Sequence, residues 1–415
     1  MRIAVWHNLR SGGGKRALYY HVRGLVERGH TIEAWCPPTV DQTYLPLADL
    51  IPEHVVPFDW RPVAARGPVG RLMAQYRTTT RQLEAMDHHC RACAEEIDRG
   101  GYDVLLANSC AVFRTTSIGR HVKTPGLLYL QEPFRWLYEA LPQLPWLALP
   151  SRARGTGSWR HMKRFLRDLV DVHALRIQAR EEVENARAFN TILVNSWFSR
   201  ESVLRAYGIG AEVCYLGVDT DLFSDQRKPR EGFVVGLGAI IPEKRVGLAI
   251  EALGRLREPR PELVWIGNAA VPLYRAEMER LARSRSVPFR VEVRIADKDV
   301  VDLLNRAAVL VYAPRLEPFG FAPLEAGACG LPVVAVAEGG VRETVRDGVN
   351  GLLVDDDPDI MARAIERVLS DPAYASRLGT AGAEMVRREW SVPASIDRLE
   401  ARLTEVVRSG GSRCA

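Results

Sequence analysis

The sequence predicts an α/β protein built from two parallel-sheet domains, and three observations support this. At 415 residues the chain is too long for one hydrophobic core, while its 47% hydrophobic and 26% charged content is that of ordinary globular proteins. Short apolar segments, glycine-containing loops and helical patterns alternate along it. The alternation stops at one polar stretch, EVCYLGVDTDLFSDQRKPREG, and then restarts. Two βαβ domains joined by a linker are therefore expected.

The first half contains five segments that predict strands: RIAVWH, TIEAW, DVLLAN, GLLYL and TILVNS. They are rich in Val and Leu on both faces, as parallel strands covered by helices require. The glycine loop NLRSGGG follows the first strand, and the helix after it stops at Gly29. A long, Arg-rich helix is predicted from Ser158 to Arg187.

The second half repeats the pattern, with FVVGLGAI, ELVWIG, RVEVRI and VLVYAP as strands and a helix that begins at Val246. The loop RLEPFG follows VLVYAP and leads into a short helix, FAPLEAGACG, which Gly330 closes. Sheets of this kind bind ligands beyond the carboxyl ends of their strands. The loop is therefore the predicted site.

Two carboxylates lie eight positions apart in this otherwise apolar stretch. Glu317 is in the loop at the rim of the sheet, and Glu325 projects from the helix. Gly320 and Phe321 stand at the helix start, where unpaired N–H groups and the helix dipole favour an anion. The pattern predicts a phosphate site flanked by two acceptors for hydroxyl groups.

The segment EPFGFAPLEAGACGLPVVAVAEGGVRETVRDGVNGLLV resembles the donor-site signature, Glu-x7-Glu, of retaining glycosyltransferases of the fourth family. Further segments resemble that family in the same order: GGGKRALYYHVRGLVERGH, VNSWFSRESVLRAYG, YLGVDTDLF, IPEKRVGLAIEAL and SVPASIDRLEARLTEVV. The resemblance implies the GT-B fold, with two facing Rossmann-like domains. It implies an acceptor-binding domain over residues 1–215, a nucleotide-sugar-binding domain over 216–390, and a C-terminal helix over 391–415 that returns to the first domain.

Carried over position by position, the resemblance assigns Glu325 to the nucleotide ribose, Glu317 to the sugar and Lys244 to the diphosphate. Glu317 and Lys244 are thereby catalytic candidates. The candidates for donor binding are Gly13, Gly14, Lys244, Arg245, Gly320, Phe321 and Glu325.

Two positions depart from the family pattern. Ala239 stands where an arginine is usual, so half of a cationic clamp is missing, and Arg245, or Lys15 with Arg16, could replace it. Gln131 stands where the family has a histidine near the sugar. A glutamine can donate a hydrogen bond but cannot take up a proton, so Gln131 is a catalytic candidate without the role of a base.

The resemblance implies a retaining hexosyltransferase that uses a nucleotide-sugar as co-substrate and needs no metal or other cofactor. The segment KRVGLAIEAL is similar to that of bacterial mannosyltransferases of polysaccharide assembly, and this similarity favours GDP-mannose as the donor. The acceptor is expected to be a saccharide or a lipid-linked group in polysaccharide or glycolipid assembly, and no nucleic acid is expected as partner. The alternatives are a nucleotide-sugar epimerase or a phosphorylase on the same fold, and a non-catalytic binding protein.

Other motifs are interpreted as structural. The string DHHC, residues 87–90, with Cys93 has a spacing that zinc could use, but the stretch is predicted to be a polar, exposed helix. Asp219 and Asp221 imitate a metal-binding Asp-x-Asp but lie in a turn, and the acidic run at residues 355–357 precedes a helix as a cap. No GxxxxGK[ST] loop is present, which excludes a P-loop kinase.

The basic charge belongs to the first half. Residues 1–210 contain 28 Lys and Arg against 20 Asp and Glu, and the rest contains 28 against 31, so +8 and −3 give the net +5. The cations concentrate in residues 61–81 and 151–170, where they are interleaved with Leu72, Met73, Trp159 and Phe165. Seven scattered cysteines and the basic start MRIAVWHNLR predict a cytoplasmic protein. The basic segments predict reversible contact with an anionic membrane surface.

Overall fold

The computed structural model describes residues 1–61, 66–140, 144–147 and 159–410. The chain divides into two compact units. Unit 1 contains residues 1–194 and 200–213 and the chain from Leu399 onward, and unit 2 contains residues 195–199 and 214–398. Each unit is a parallel sheet with helices, so the predicted α/β fold is confirmed. The domain boundaries at residues 215 and 390 stay a prediction.

The described part of unit 1 forms a seven-stranded sheet in the order β3-β2-β1-β4-β5-β6-β7, with every pair parallel. All five predicted strands are present. β3 and β7 were not predicted, because three and two residues are too few for a recognisable pattern. The strands are β1 Arg2–Asn8, β2 Thr31–Cys36, β3 Glu53–Val55, β4 Val104–Cys110, β5 Gly126–Gln131, β6 Thr191–Val194 and β7 Glu212–Val213.

Helices cover the sheet of unit 1. The long Arg-rich helix is confirmed as α6 and ends at the predicted residue, while its predicted first residue, Ser158, lies outside the described part of the chain. The helices that begin in this half are α1 Gly13–Glu27, α2 Gly67–Leu72, α3 Ala74–Gly100, α4 Ile118–His121, α5 Arg135–Tyr138, α6 Trp159–Arg187 and α7 Trp197–Tyr207.

Unit 2 contains a six-stranded parallel sheet in the order β10-β9-β8-β11-β12-β13. Its strands are β8 Val234–Leu237, β9 Leu263–Gly267, β10 Phe289–Val293, β11 Val309–Tyr312, β12 Val333–Val336 and β13 Gly351–Val354. The remaining helices are α8 Val246–Leu253, α9 Pro272–Ser284, α10 Asp297–Arg306, α11 Phe321–Ala328, α12 Val341–Thr344, α13 Pro358–Ser370, α14 Pro372–Glu389 and α15 Val392–Arg408. As predicted, Asp357 caps a helix, since its carboxylate accepts the N–H groups of Asp359 and Ile360.

One part of the sequence interpretation is wrong. The stretch around DHHC does lie in a helix, α3, but its face with His89, Cys90 and Cys93 is buried in the core of unit 1. The indole of Trp6 donates a hydrogen bond to Nε2 of His89 at 3.2 Å. The charged residues on the opposite face of α3 made the segment look uniformly polar, whereas every third or fourth residue faces the sheet.

Parts of the two basic segments, residues 62–65 and 151–158, lie outside the described residues. Among the helices that the structure describes, none combines the length and the apolar composition that crossing a membrane requires.

Candidate functional site

Lys244 and Glu317 form a charged pair at the carboxyl edge of the unit 2 sheet. Nζ of Lys244 donates to Oε2 of Glu317 at 2.5 Å, and the two side chains are 21% and 19% exposed. Lys244 ends a short turn that follows β8, and Glu317 follows β11, the strand beside β8. Because neighbouring parallel strands end at the same edge, residues far apart in the sequence meet here.

Tyr312, the last residue of β11, links the two carboxylates. Its buried hydroxyl is hydrogen-bonded to Glu317, and the charges of both Glu317 and Glu325 act on it. Burial first, and then these two negative charges, raise the pKa of Tyr312 well above its usual value. The phenol therefore stays a donor, and the structure brings Glu317 and Glu325 to one tyrosine. Glu325 is itself only 7% exposed.

The helix that carries Glu325 begins without a cap. Gly320 precedes α11 with φ of +96°, a left-handed conformation that glycine adopts readily, and no side chain caps the helix. Its first turn contains no acidic residue. The N–H groups at Phe321 and beyond, with the positive end of the helix dipole, make this helix start favourable for an anion. Gly320 and Phe321 lie at the helix start as predicted, and their contact with a phosphate stays a prediction.

The loop that presents Glu317 is fixed by residues 338–340. Oε1 of Glu338 accepts the N–H of Leu316 at 2.8 Å, and the carbonyl of Glu317 accepts the N–H of Gly340 at 2.8 Å. A Cβ at Gly339 would lie 2.3 Å from that carbonyl oxygen, so only glycine allows this approach. The carboxylate is therefore held in place by the backbone on both sides of it.

Arg245 makes contacts around the loop that presents Glu317. Its guanidinium contacts Glu338 at 2.8 Å, Asp356 at 2.5 Å and the carbonyl of Ala313, and its side chain is 11% exposed. These contacts hold the loop in place. A contact of Arg245 with the donor stays a prediction.

The glycine loop of unit 1 contacts Gln131. Gly13 and Gly14 form the first turn of α1, which also has no side-chain cap and no acidic residue in that turn. A Cβ at Gly14 would lie 3.0 Å from both polar atoms of the Gln131 amide. Gln131 ends β5 with φ of +66°, an unfavourable conformation for this residue type, and such strain is common at functional sites. These three candidates therefore lie together.

Of the two unit 1 residues proposed to replace the missing arginine, Lys15 is withdrawn from the surface, whereas Arg16 is half-buried. Lys15 is fully buried beside His7 and Glu53, and the Nε of Arg16 donates to the hydroxyl of Tyr44 at 2.9 Å. Lys244 is thus the candidate cation that the structure places at the carboxylates.

Sequence reasoning missed Tyr312 and Glu338. A tyrosine that ends an otherwise aliphatic strand, VLVY, at the ligand-binding edge of a sheet was an available signal for the first. Glu338 carried no signal of its own, since its partners Leu316 and Arg245 are 22 and 93 positions away.

Residues 218–385 match the family described as glycosyl transferases group 1. The chain is 38% identical over 107 residues to an alpha-1,3/1,6-mannosyltransferase of Rhizomucor pusillus, a match that covers 26% of this chain and 24% of that protein. It is 32% identical over 224 residues to the GDP-mannose-dependent alpha-(1-6)-phosphatidylinositol monomannoside mannosyltransferase of Mycolicibacterium smegmatis, covering 47% of this chain and 57% of the relative. The chain thus spans less than two thirds of these relatives.

Solved structures show the same fold over nearly the whole chain. The sucrose-phosphate synthase of Thermosynechococcus elongatus superposes with a TM-score of 0.72 at 18% identity, covering 99% of this chain and 100% of that one. The Anabaena protein Alr3699/HepE, solved with UDP and glucose, gives 0.65 at 19% identity, covering 97% and 99%. The chain has the GT-B type of α/β fold.

Proposed function

We propose that this chain, whose residues 218–385 belong to the glycosyl transferases group 1 family, is a retaining glycosyltransferase that moves a hexose from a nucleotide-sugar to a hydroxyl acceptor. The observation that carries the proposal is the arrangement of Lys244, Glu317, Tyr312 and Glu325 beside the uncapped start of α11. It offers donors for a diphosphate and acceptors for hydroxyl groups within one edge of a sheet.

In the proposed reaction the donor phosphate departs on the face from which the acceptor hydroxyl enters, and a phosphate oxygen takes the proton. The protein then contributes position and charge rather than a nucleophile. Lys244 and the N–H groups at Gly320 and Phe321 would hold the departing phosphates, Glu325 the ribose, and Glu317 the sugar. Gly13, Gly14 and Gln131 stay predicted contacts of the donor, as the family resemblance implies.

We favour GDP-mannose as donor because the named relatives include mannosyltransferases, one of them GDP-mannose-dependent. A thermal-shift series with GDP, UDP, ADP and dTDP tests this. A nucleotide at 100 times its dissociation constant stabilises the folded protein by about 2.7 kcal/mol, a shift of several degrees. GDP is expected to give the largest shift. Labelled transfer and donor hydrolysis then follow, and a protein that binds nucleotide but hydrolyses no donor would be a binding protein.

Transfer is expected to continue in excess EDTA, because in the proposed site Lys244 and helix N–H groups bind the phosphates in place of a divalent cation. The measurement is the initial transfer rate with EDTA, and then with Mg²⁺ or Mn²⁺ in excess. Loss of activity that these ions restore would contradict the assignment and would favour Asp219 and Asp221 as metal ligands. In the structure, Asp219 accepts the N–H groups of Asp221 and Leu222, as a turn does.

We further propose that the acceptor is lipid-linked and is reached at the anionic inner face of the plasma membrane, to which unit 1 attaches reversibly from the cytoplasm. The first turns of α6 support this, because five large apolar side chains there are exposed to solvent: Trp159 71%, Met162 51%, Phe165 55%, Leu166 42% and Leu169 49%. Lys163 and Arg164, both exposed, lie among them. Exposed apolar side chains with interleaved cations are typical of helices that lie at the headgroup boundary.

Flotation with phosphatidylglycerol vesicles tests this attachment. The parent is expected to bind at low salt, and Lys163→Glu with Arg164→Glu to bind at least about tenfold more weakly, because each cation near such a surface contributes about 1 kcal/mol. Donor hydrolysis should be unchanged. Arg280→Glu with Arg283→Glu, two exposed positions on α9, is the matched control and should bind as the parent does. Equal binding of the parent to neutral vesicles, or no binding at low salt, would contradict the proposal.

A further inference from the structure

Three neighbouring strands of unit 1 place a second set of titratable side chains on one face. β1 carries His7, β2 ends at Cys36, and β3 begins at Glu53. In the sheet Trp6 pairs with Trp35 and Ala34 with Glu53, so His7, Cys36 and Glu53 share one face. None of the three was assigned a role above.

The three side chains are close and buried. Nε2 of His7 lies 2.8 Å from Oε1 of Glu53, and these side chains are 0% and 2% exposed. Cys36 is also fully buried. One ligand atom from each of the three lies within 4.8 Å of the others. The amide of Gln42, an exposed residue, contacts Sγ of Cys36 at 3.8 Å, which gives the cluster a side that faces the surface.

A buried lysine, Lys15, lies beside the cluster, and its positive charge acts on Glu53. The ammonium of Lys15 is fully buried, acts on Glu53 by its charge, and has no hydrogen-bond partner among the described residues. Nδ1 of His7, an acceptor while Nε2 donates to Glu53, also lacks a partner among them. A buried ammonium without a hydrogen-bond partner is costly, so a cation that binds the Glu53 carboxylate directly could replace its effect at a gain in free energy.

We propose that His7, Cys36 and Glu53 bind a divalent transition-metal ion of the Zn²⁺ class, and that this ion competes with the Lys15 ammonium for the Glu53 carboxylate. Imidazole, thiolate and carboxylate are the ligands that zinc takes in proteins, at about 2.0–2.3 Å.

The metal and its three ligands can form a neutral group. Binding breaks the S–H bond of Cys36 and releases that proton to solvent, while His7 stays neutral by carrying its proton on Nδ1. The dication, the thiolate and the carboxylate then sum to zero, which suits a buried site. The charge of Asp41 still acts on the Lys15 ammonium when the metal is bound.

Titration of the whole chain with Co²⁺, and then with Zn²⁺ in competition, tests the site. One Co²⁺ per chain is expected, with the near-ultraviolet absorption of a cobalt–thiolate bond, which Zn²⁺ abolishes. Cys36→Ser should lose the absorption. Cys110→Ser, a buried cysteine at the end of β4 and outside the cluster, is the matched control and should keep it. Lys15→Met should bind Co²⁺ about tenfold more tightly, because a competing positive charge is removed.

Several outcomes would overturn the site: no thiolate absorption in the parent, absorption that persists in Cys36→Ser, or weaker binding by Lys15→Met. If Cys36→Ser does not fold, Glu53→Gln gives the answer, since it should keep the absorption and bind at least about tenfold more weakly. Unchanged affinity in Glu53→Gln would contradict the proposal. A Zn²⁺-dependent rise in Tm, present in the parent and absent in the variants that lose binding, is the second readout. None of these measurements depends on transferase activity.

Discussion

Replacement of Glu325 by alanine is expected to weaken nucleotide binding strongly and to lower the rate of transfer with it. Glu325 is 7% exposed on a short helix, and its charge acts on the phenol of Tyr312. In the variant, a ribose hydroxyl that donates to this carboxylate in the parent would be left unpaired in a desolvated site. Leaving one such group unpaired costs about 1–3 kcal/mol, or roughly 5- to 150-fold in affinity. Isothermal titration with the nucleotide that gives the largest thermal shift measures this loss.

Two further variants separate the role of the charge from that of the fold. Glu325→Gln keeps the volume and should still lose at least about tenfold in affinity, because a neutral amide is a weaker acceptor than a carboxylate. Glu366→Gln, at an exposed position on α13, is the matched control and should bind as the parent does. Far-ultraviolet circular dichroism of each variant verifies the fold. If Glu325→Ala binds nucleotide as tightly as the parent, the donor site lies elsewhere.

The sequence could predict those parts of the site that depend on local pattern. The strand VLVY, the loop after it and the helix start at Gly320 lie where the pattern placed them, because strand, loop and helix are each determined by neighbouring residues. The pairing of Lys244 with Glu317 could not be predicted from pattern alone. It depends on β8 and β11 being neighbours in the sheet, although β9 and β10 separate them in the chain.

Contacts between distant segments account for what the sequence left out. The carboxylate of Glu343 accepts the N–H groups of Trp197 and Phe198 and the hydroxyl of Tyr215. It thereby caps the start of α7, a helix 146 positions earlier in the chain. No periodicity in the sequence marks such a partner. The burial of Lys15 could not be predicted for the same reason, because its neighbours come from three other segments of the chain.

Lys244→Met is expected to lower kcat by about tenfold to a hundredfold with a smaller change in KM. The reason is that a charge-assisted contact to the leaving diphosphate contributes about 1.5–3 kcal/mol and strengthens as the phosphate gains charge in the transition state. The loss should be concentrated in kcat because the helix N–H groups at Gly320 and Phe321 still hold the ground-state phosphates. Steady-state kinetics with a saturating acceptor measures both constants.

The ion pair between Lys244 and Glu317 adds an expectation about the stability of Lys244→Met. Loss of Lys244 leaves Glu317 with the hydroxyl of Tyr312 as donor, so the loop should remain in place and the Tm should change little. Lys123→Met, at an exposed position of unit 1, is the matched control for removing a lysine charge and should keep the parental kcat. Lys244→Arg retains the charge but changes the geometry at the 2.5 Å contact with Glu317, so it should recover only part of the lost rate. A parental kcat in Lys244→Met would show that Lys244 only anchors the Glu317 loop, and the cation for the leaving group would then have to be sought among Arg245 and its neighbours.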